Sequence, residues 1–402
     1  MTDIEDFTLA AGFRATAVSC GLKANDTLDL ALIAAAGPCS AAGVFTTNHV
    51  KAAPVLYDQA VLAANPVGIR AVIANAGCAN ACTGARGMAD AREMAALTAA
   101  ALGCAAAEVL VLSTGVIGRH LDMQKLADGI AAVSSPEAHV GAAYAARAIM
   151  TTDTRPKVAG RDLMVDGVPI AVRGFAKGAG MIHPNMATML AIITTDAVVA
   201  PALLQSMLQA ATARSFNRIS VDGDMSTNDT LLLLASGAAG IEIAEADLPA
   251  FQQALNETCV ALAKQIVADG EGATRLVEIN VRGALDEGQA HLVADSIARS
   301  SLVKTAIHGG DPNWGRILAA AGACGALIAP DRLALALGPI AEPLMVVAAG
   351  LPTAYDERAA AAMLHADPVA IHLDLGLGDA QATVWTCDLS AEYVAINAHY
   401  TT

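Results

Sequence analysis

The run Lys177-Gly178-Ala179-Gly180-Met181-Ile182-His183-Pro184-Asn185-Met186-Ala187-Thr188-Met189-Leu190-Ala191-Ile192-Ile193-Thr194-Thr195-Asp196 divides into two physically unlike halves. The first carries Gly178, Gly180 and Pro184, so its backbone is a loop able to approach another group closely. From Met189 to Thr195 the residues are apolar or β-branched, and they stop at Asp196; this is the pattern of a short, fully buried strand. Thr188 stands at the junction. A hydroxyl there is held from behind by a rigid strand and is approachable from the loop in front, which suits a nucleophile. An Ala-Thr step alone carries no such meaning, since most are ordinary strand residues.

Upstream, Leu163 to Val172 reads as a hairpin around Asp166-Gly167. Pro136 to Ile149 reads as a helix after a Ser134-Ser135 cap, closed by the polar exit Met150 to Lys157. Glu108 to Ser113 is a strand opening onto Thr114-Gly115, which offers a hydroxyl and an unobstructed N–H at one point. Those are the parts of an oxyanion hole, although most strand-end Thr-Gly pairs are structural. Ala89 to Leu102 has helical spacing, and Ala71 to Ala74 is a short strand entering the tight loop Asn75 to Gly84. Phe13 to Cys20 and Leu28 to Ala35 read as strands. Gly37, Pro38, Ser40 and Asn48 break Leu30 to Val50 into strand, turn and strand, and Phe45 to Val55 into a strand with a Pro-terminated loop.

Downstream, Pro201 to Ala213 and the amphipathic Leu248 to Val267 read as helices. Asp222, Asp224, Asn228 and Asp229 invite a hard-cation reading, but the spacing lacks the Gly and terminal Glu of a calcium loop. A strand, turn and strand with capping carboxylates accounts for them better. Glu271 lies between Gly270 and Gly272, poised to point into a cleft. Ser296 to Ala306 reads as a helix, and His308 to Arg316 as a loop in which Trp314 and Arg316 are either functional or part of a rigid interdomain link. Strands at 344–347, 369–375 and 382–387 alternate with a helix at 357–364. The mixture is α/β, with sheets between helix layers.

Lys177 to Asp196 resembles the signature of the ornithine acetyltransferase family, also called glutamate N-acetyltransferase. The blocks at 45–55, 75–84, 215–230, 308–316 and 393–402 resemble it in register, with Ala76 and Cys78 departing conservatively from Asn-Ser-Gly-Asn-Ala-Asn. The resemblance implies an α/β/β/α sandwich like that of N-terminal-nucleophile enzymes, with a second, smaller α/β domain. It implies self-cleavage between Ala187 and Thr188, giving an alpha chain of residues 1–187 and a beta chain of residues 188–402 that begins at the nucleophile. Its oxyanion pair falls on Thr114 and Gly115, and its substrate contacts on Thr154, Lys177, Thr188, Glu271, Asn397 and Thr402. The implied reaction moves an acetyl group from N2-acetylornithine to glutamate, in a heterotetramer of two alpha and two beta chains. No cofactor is implied, and acetyl-CoA stays open as a second donor. A freed Thr188 carries its own base, an α-amine with a reference pKa of about 7.7–8.0, which Lys177 would depress. The alternative is a self-processing amidohydrolase or aminopeptidase using the same Thr.

Composition narrows the partners. The 402 residues carry a net charge of −15 and no cluster of Lys and Arg, which argues against nucleic acid. The acidic start Met1 to Asp6 is unlike a signal or transit peptide, and no uncharged run suits a bilayer, so a cytoplasmic protein off the membrane is expected. Eight cysteines without a CxxC pair suggest free thiols. No nucleotide loop and no zinc motif is present, so no metal is expected.

Overall fold

The computed structural model describes residues 4–24, 26–183 and 189–399. Alternation along its strands builds the layers. Leu30 and Leu32 of the strand Leu30–Phe45 pack with Met94 and Ile130 from the helices Gly84–Leu102 and Met123–Val133. Ala31 and Ile33 turn the other way, into a core shared with Phe175, Ile192 and Leu232. On the strand Leu190–Thr195, Leu190 and Ile192 enter that same core, while Ala191 and Ile193 join Leu204, Phe251 and Leu262 from the helices Pro201–Arg214 and Leu248–Ala268. Strands apolar on both faces must be covered on both. Two such sheets stacked on each other and flanked by helices make the expected α/β/β/α sandwich.

The strand path runs Val109–Val116, Ile69–Cys78, Leu30–Phe45, Thr230–Ala235, Leu190–Thr195, Val168–Lys177, Lys157–Val165. Leu30–Phe45 serves both sheets. Its first half pairs with Phe13–Val18 and Ile69–Cys78, and its second half pairs antiparallel with Thr230–Ala235. This corrects the turn expected at Gly37-Pro38. The register slips between Ala34 and Cys39, so Pro38 falls where the ladder is already interrupted, and the chain changes sheets without stopping.

Other boundaries differ for local reasons. Pro54 does not end a loop: it sits in the first turn of the helix Ala53–Ala64, where a missing N–H costs nothing. The helix expected at 136–149 is only Ala142–Ala148, because His139–Val140 pairs with Thr16 and Ala17, and Gly141 adopts φ 137°. Ser300 divides the helix expected at 296–306 into Glu287–Arg299 and Ser301–Gly309, its side chain capping the second. Within 308–316 a helix, Trp314–Gly322, begins. The expected strand, turn and strand at 215–230 is not a hairpin, since Ile219–Ser220 pairs with Ala380–Cys387 and Thr230–Ala235 lies in the sandwich.

The second unit is the smaller α/β body expected. Its sheet centres on Leu276–Ala284 between Val369–Asp374 and Ala380–Cys387, with Val277, Ile279 and Val281 packed against Val293 and Ile297 of the helix Glu287–Arg299. Among the described residues no helix is long and apolar enough to cross a membrane, and all eight cysteines are free.

Candidate active site

The parallel strands Ile69–Cys78 and Val109–Val116 end together, and Thr114 and Gly115 stand at that end. Gly115 has φ 128°, and a Cβ there would sit 2.4 Å from the Gly77 carbonyl carbon. Only glycine fits. Behind the pair, Ser113 Oγ donates to Asn75 Oδ1 (2.6 Å), and Asn228 Nδ2 donates to the carbonyls of Ala79 (2.7 Å) and Ser113 (2.8 Å). These bonds fix where Thr114 can point.

Lys177 ends the strand Val168–Lys177 and is buried, with Nζ 3.4 Å from Thr114 Oγ1. Burial pushes its ammonium below the ordinary lysine pKa; the carboxylates of Asp153, Asp229 and Glu271 only partly offset this. Asp153 accepts from Lys157 Nζ at 2.6 Å and from Gly178 N–H at 2.6 Å. Burial works against the Asp153 carboxylate, but the Lys177 and Lys157 ammonium groups and the bonds from Lys157 and Gly178 outweigh it and hold the acid down to about 2. Lys157 also reaches Asp269 at 2.5 Å.

Carboxylates pin the loop that follows Lys177. Asp222 accepts the N–H groups of Met181 (2.6 Å) and Ile182 (2.9 Å), and Met181 is held at φ 56°. Burial raises the Asp222 carboxyl to about 6, against the pull of its N–H donors. Glu271 N–H donates to Ala179 O (2.8 Å), and the Glu271 carboxylate lies so close over Gly180 that a Cβ there would be 2.4 Å from it. Asn397, on the helix Ala391–His399, donates to Glu271 Oε2 at 2.7 Å, and Tyr393 OH donates to Asp222 at 3.3 Å.

These groups surround one cavity of about 260 Å³. Thr114, Gly115, Lys177, Glu271 and Asn397 all line it, although they come from both sheets, a loop and the last described helix. Thr154 does not. Its N–H and hydroxyl both go to Asp269, and its neighbours Thr151 and Thr152 line the cavity instead. Ala187, Thr188 and Thr402 lie outside the described residues. Sequence reading missed Asp222, Asp224, Asn228 and Tyr393 as cavity residues. The four polar residues at 222–229 were the available signal, and they serve main-chain N–H groups, carbonyls and the cavity wall. Among the described residues no cluster of His, Cys, Asp and Glu is arranged to hold a metal ion. Trp314 donates to Tyr355 OH (3.1 Å) and Arg316 to Leu302 O (2.9 Å), contacts within the smaller unit.

Two stacked sheets between helix layers, with a cavity where strand ends from both sheets meet, define an enzyme-like fold of the α/β/β/α sandwich class. Within it, the chain belongs to the ArgJ family, whose family model matches residues 14–402. It is 48% identical over 400 residues to the arginine biosynthesis bifunctional protein ArgJ of Symbiobacterium thermophilum, covering 98% of each chain. The ArgJ protein of Geobacillus stearothermophilus is 46% identical over 407 residues, covering all of this chain and 98% of that one. The crystal structure of ArgJ from Bacillus halodurans matches with a TM-score of 0.50 at 44% identity, over 52% of this chain and 98% of that chain.

Proposed function

We propose that this chain moves the acetyl group of N2-acetylornithine to glutamate through an acetyl ester on Thr188, after cutting itself between Ala187 and Thr188. The observation that carries this is the convergence of Thr114, Gly115, Lys177, Glu271 and Asn397 on one cavity. In the scheme, the neutral α-amine of Thr188 takes the hydroxyl proton as Oγ attacks the acetyl carbonyl. Thr114 and the Gly115 N–H hold the oxyanion. The C–N bond breaks, the proton passes to the departing amine, and ornithine leaves. The neutral amine of glutamate then attacks the ester, giving N-acetylglutamate and restoring the Thr188 hydroxyl.

Lys177 is suited to a substrate carboxylate, and Glu271, steadied by Asn397, to a substrate ammonium. Thr154 acts through Asp269 in this scheme, and Thr402 is carried as a substrate contact from the family resemblance. No cofactor is needed. The enzyme works as two alpha and two beta chains in the cytoplasm.

The test combines denaturing gels with kinetics. Purified protein should run as fragments 1–187 and 188–402, and Thr188→Ala should stay whole and inactive. Double-reciprocal plots at varied glutamate should be parallel, with acetyl found on Thr188 by mass spectrometry. Active protein that remains one uncut chain would sink the scheme. Release of free acetate in place of N-acetylglutamate would favour a hydrolase, and running acetyl-CoA as donor in the same assay decides the second activity.

A further inference from the structure

Lys157 opens the strand Lys157–Val165 and is fully buried, with its ammonium fully used. It donates to Asp153 Oδ1 (2.6 Å), to Asp269 Oδ2 (2.5 Å) and to Arg155 O (3.2 Å), which takes all three N–H groups. Asp153 and Asp269 are buried as well. Such a bridge adds little net stability, because desolvating the charges offsets most of their attraction. What it fixes is geometry: neither carboxylate can move without leaving a buried charge unpaired. The Arg155 guanidinium approaches Asp269 only from the exposed side, at 3.8 Å, where an ion pair is weak.

The bridge closes a ring. Asp153 accepts the Gly178 N–H (2.6 Å), one residue past Lys177. Asp269 stands two residues before Glu271, whose N–H donates to Ala179 O (2.8 Å). From Asp153 through Lys157, Asp269, Glu271 and Ala179 back to Gly178, every link is a hydrogen bond or a step of main chain. The same two carboxylates hold the segment between them, Asp153 taking the Thr151 N–H (3.0 Å) and Asp269 the Thr154 N–H (3.1 Å). Lys177 and Glu271, both beside ring bonds, line the cavity with opposite charge.

We propose that the buried Asp153–Lys157–Asp269 bridge sets the spacing of Lys177 and Glu271, with Lys157 its positioning residue, and so selects ornithine over diamino acids one methylene longer or shorter. This rests on the roles given above to Lys177 and Glu271 and extends them. A cation and a carboxylate held at one separation suit one distance between substrate carboxylate and side-chain ammonium. Loosening the ring lets that separation vary, so discrimination is lost before binding is.

The test measures binding of ornithine, lysine and 2,4-diaminobutyrate to full-length protein by calorimetry. Wild type should prefer ornithine by about tenfold or more. Lys157→Met cuts the bridge but strands two buried carboxylates. Lys157→Met combined with Asp269→Asn, which removes one charge of each sign, is therefore measured beside it, with thermal melts to confirm folding. In both variants the preference for ornithine should shrink about tenfold, because ornithine loses more affinity than the other two. Wild-type ratios in the folded variants would overturn the proposal, even if all three ligands bind more weakly, since the bridge would then only support the fold. So would a wild type that binds all three equally. A wild type that binds none of them removes the roles of Lys177 and Glu271 instead, so the two failures are distinct.

Discussion

The Lys177 ammonium stands 3.4 Å from the Thr114 hydroxyl, at a point where strands of the two stacked sheets reach one cavity. An ammonium carries three N–H donors, and among the described residues Lys177 uses only this one long bond. It is buried, with donors to spare, in a cavity whose other charged lining residues are Asp222, Asp224 and Glu271. Thr114 is expected to donate its hydroxyl proton to an oxyanion while Lys177 donates to Thr114 Oγ1. Replacing Thr114 by Val should therefore lower kcat about 10²–10³-fold and leave KM nearly unchanged. Steady-state kinetics on cut protein check this, and an effect on KM alone would remove Thr114 from the oxyanion role.

Gly115→Ala should fail for a reason separate from chemistry. The added Cβ would meet Gly77 C at 2.4 Å and Cys78 N at 2.6 Å, both main-chain atoms, at φ 128°. A loss of about 1–3 kcal/mol or more is expected, seen as a lower melting temperature together with lost activity. Gly167→Ala is the control: it also has positive φ, 79°, but nothing lies within 4 Å. It should cost less and leave turnover intact.

Asp153 sets an acid limit on stability. Its folded pKa is lowered from 3.8 to about 2, so its contribution is fully present above the unfolded value and is lost as pH falls toward 2. At about 1.4 kcal/mol per unit the loss is on the order of 2 kcal/mol. Urea unfolding of wild type should weaken between about pH 4 and pH 2. Asp153→Asn should flatten that part of the profile and be less stable at neutral pH, where it leaves Lys157 and Lys177 short of a countercharge.

Asn397→Ala removes the 2.7 Å donor from Glu271 and leaves the loop bonds of Asp222 and Asp153 in place. Turnover should fall through a raised KM for acetylornithine, roughly tenfold for one lost charge-assisted bond, while cleavage at Thr188 proceeds. Deleting Thr401 and Thr402 should act in the same direction. Wild-type KM in both variants would take the C-terminal segment out of the site.

The central layers were legible because their strands are apolar on both faces. Met189 to Thr195 read as a buried strand and Glu108 to Ser113 as a strand, and the strands Leu190–Thr195 and Val109–Val116 stand there, the first buried throughout. Less was legible where one residue type admits two uses. Pro54 and Pro38 read as breakers, yet one starts a helix and the other sits at a register slip inside a strand. Gly141 starts a helix later than its Ser134-Ser135 cap suggested, and Ser300 divides one that read as continuous. At the site, Thr114, Gly115, Lys177, Glu271 and Asn397 were named beforehand and line the cavity. Asp222 and Tyr393 were not, because their place depends on how the last helix returns to a loop 171 residues earlier in the chain. No local pattern encodes such a separation.

The strand Leu30–Phe45 has a consequence for the severed molecule. Its second half is hydrogen-bonded to Thr230–Ala235, and Val172 to Lys177 pair with Leu190 to Thr195 across the proposed cut. Each fragment thus supplies central strands that the other must have to complete a sheet. Severing the chain before Thr188 would leave two polypeptides that cannot drift apart without exposing rows of main-chain N–H and C=O groups. Their unfolding then becomes a dissociation, so the melting temperature of the cut enzyme should rise with protein concentration, while that of uncut Thr188→Ala should depend on it less.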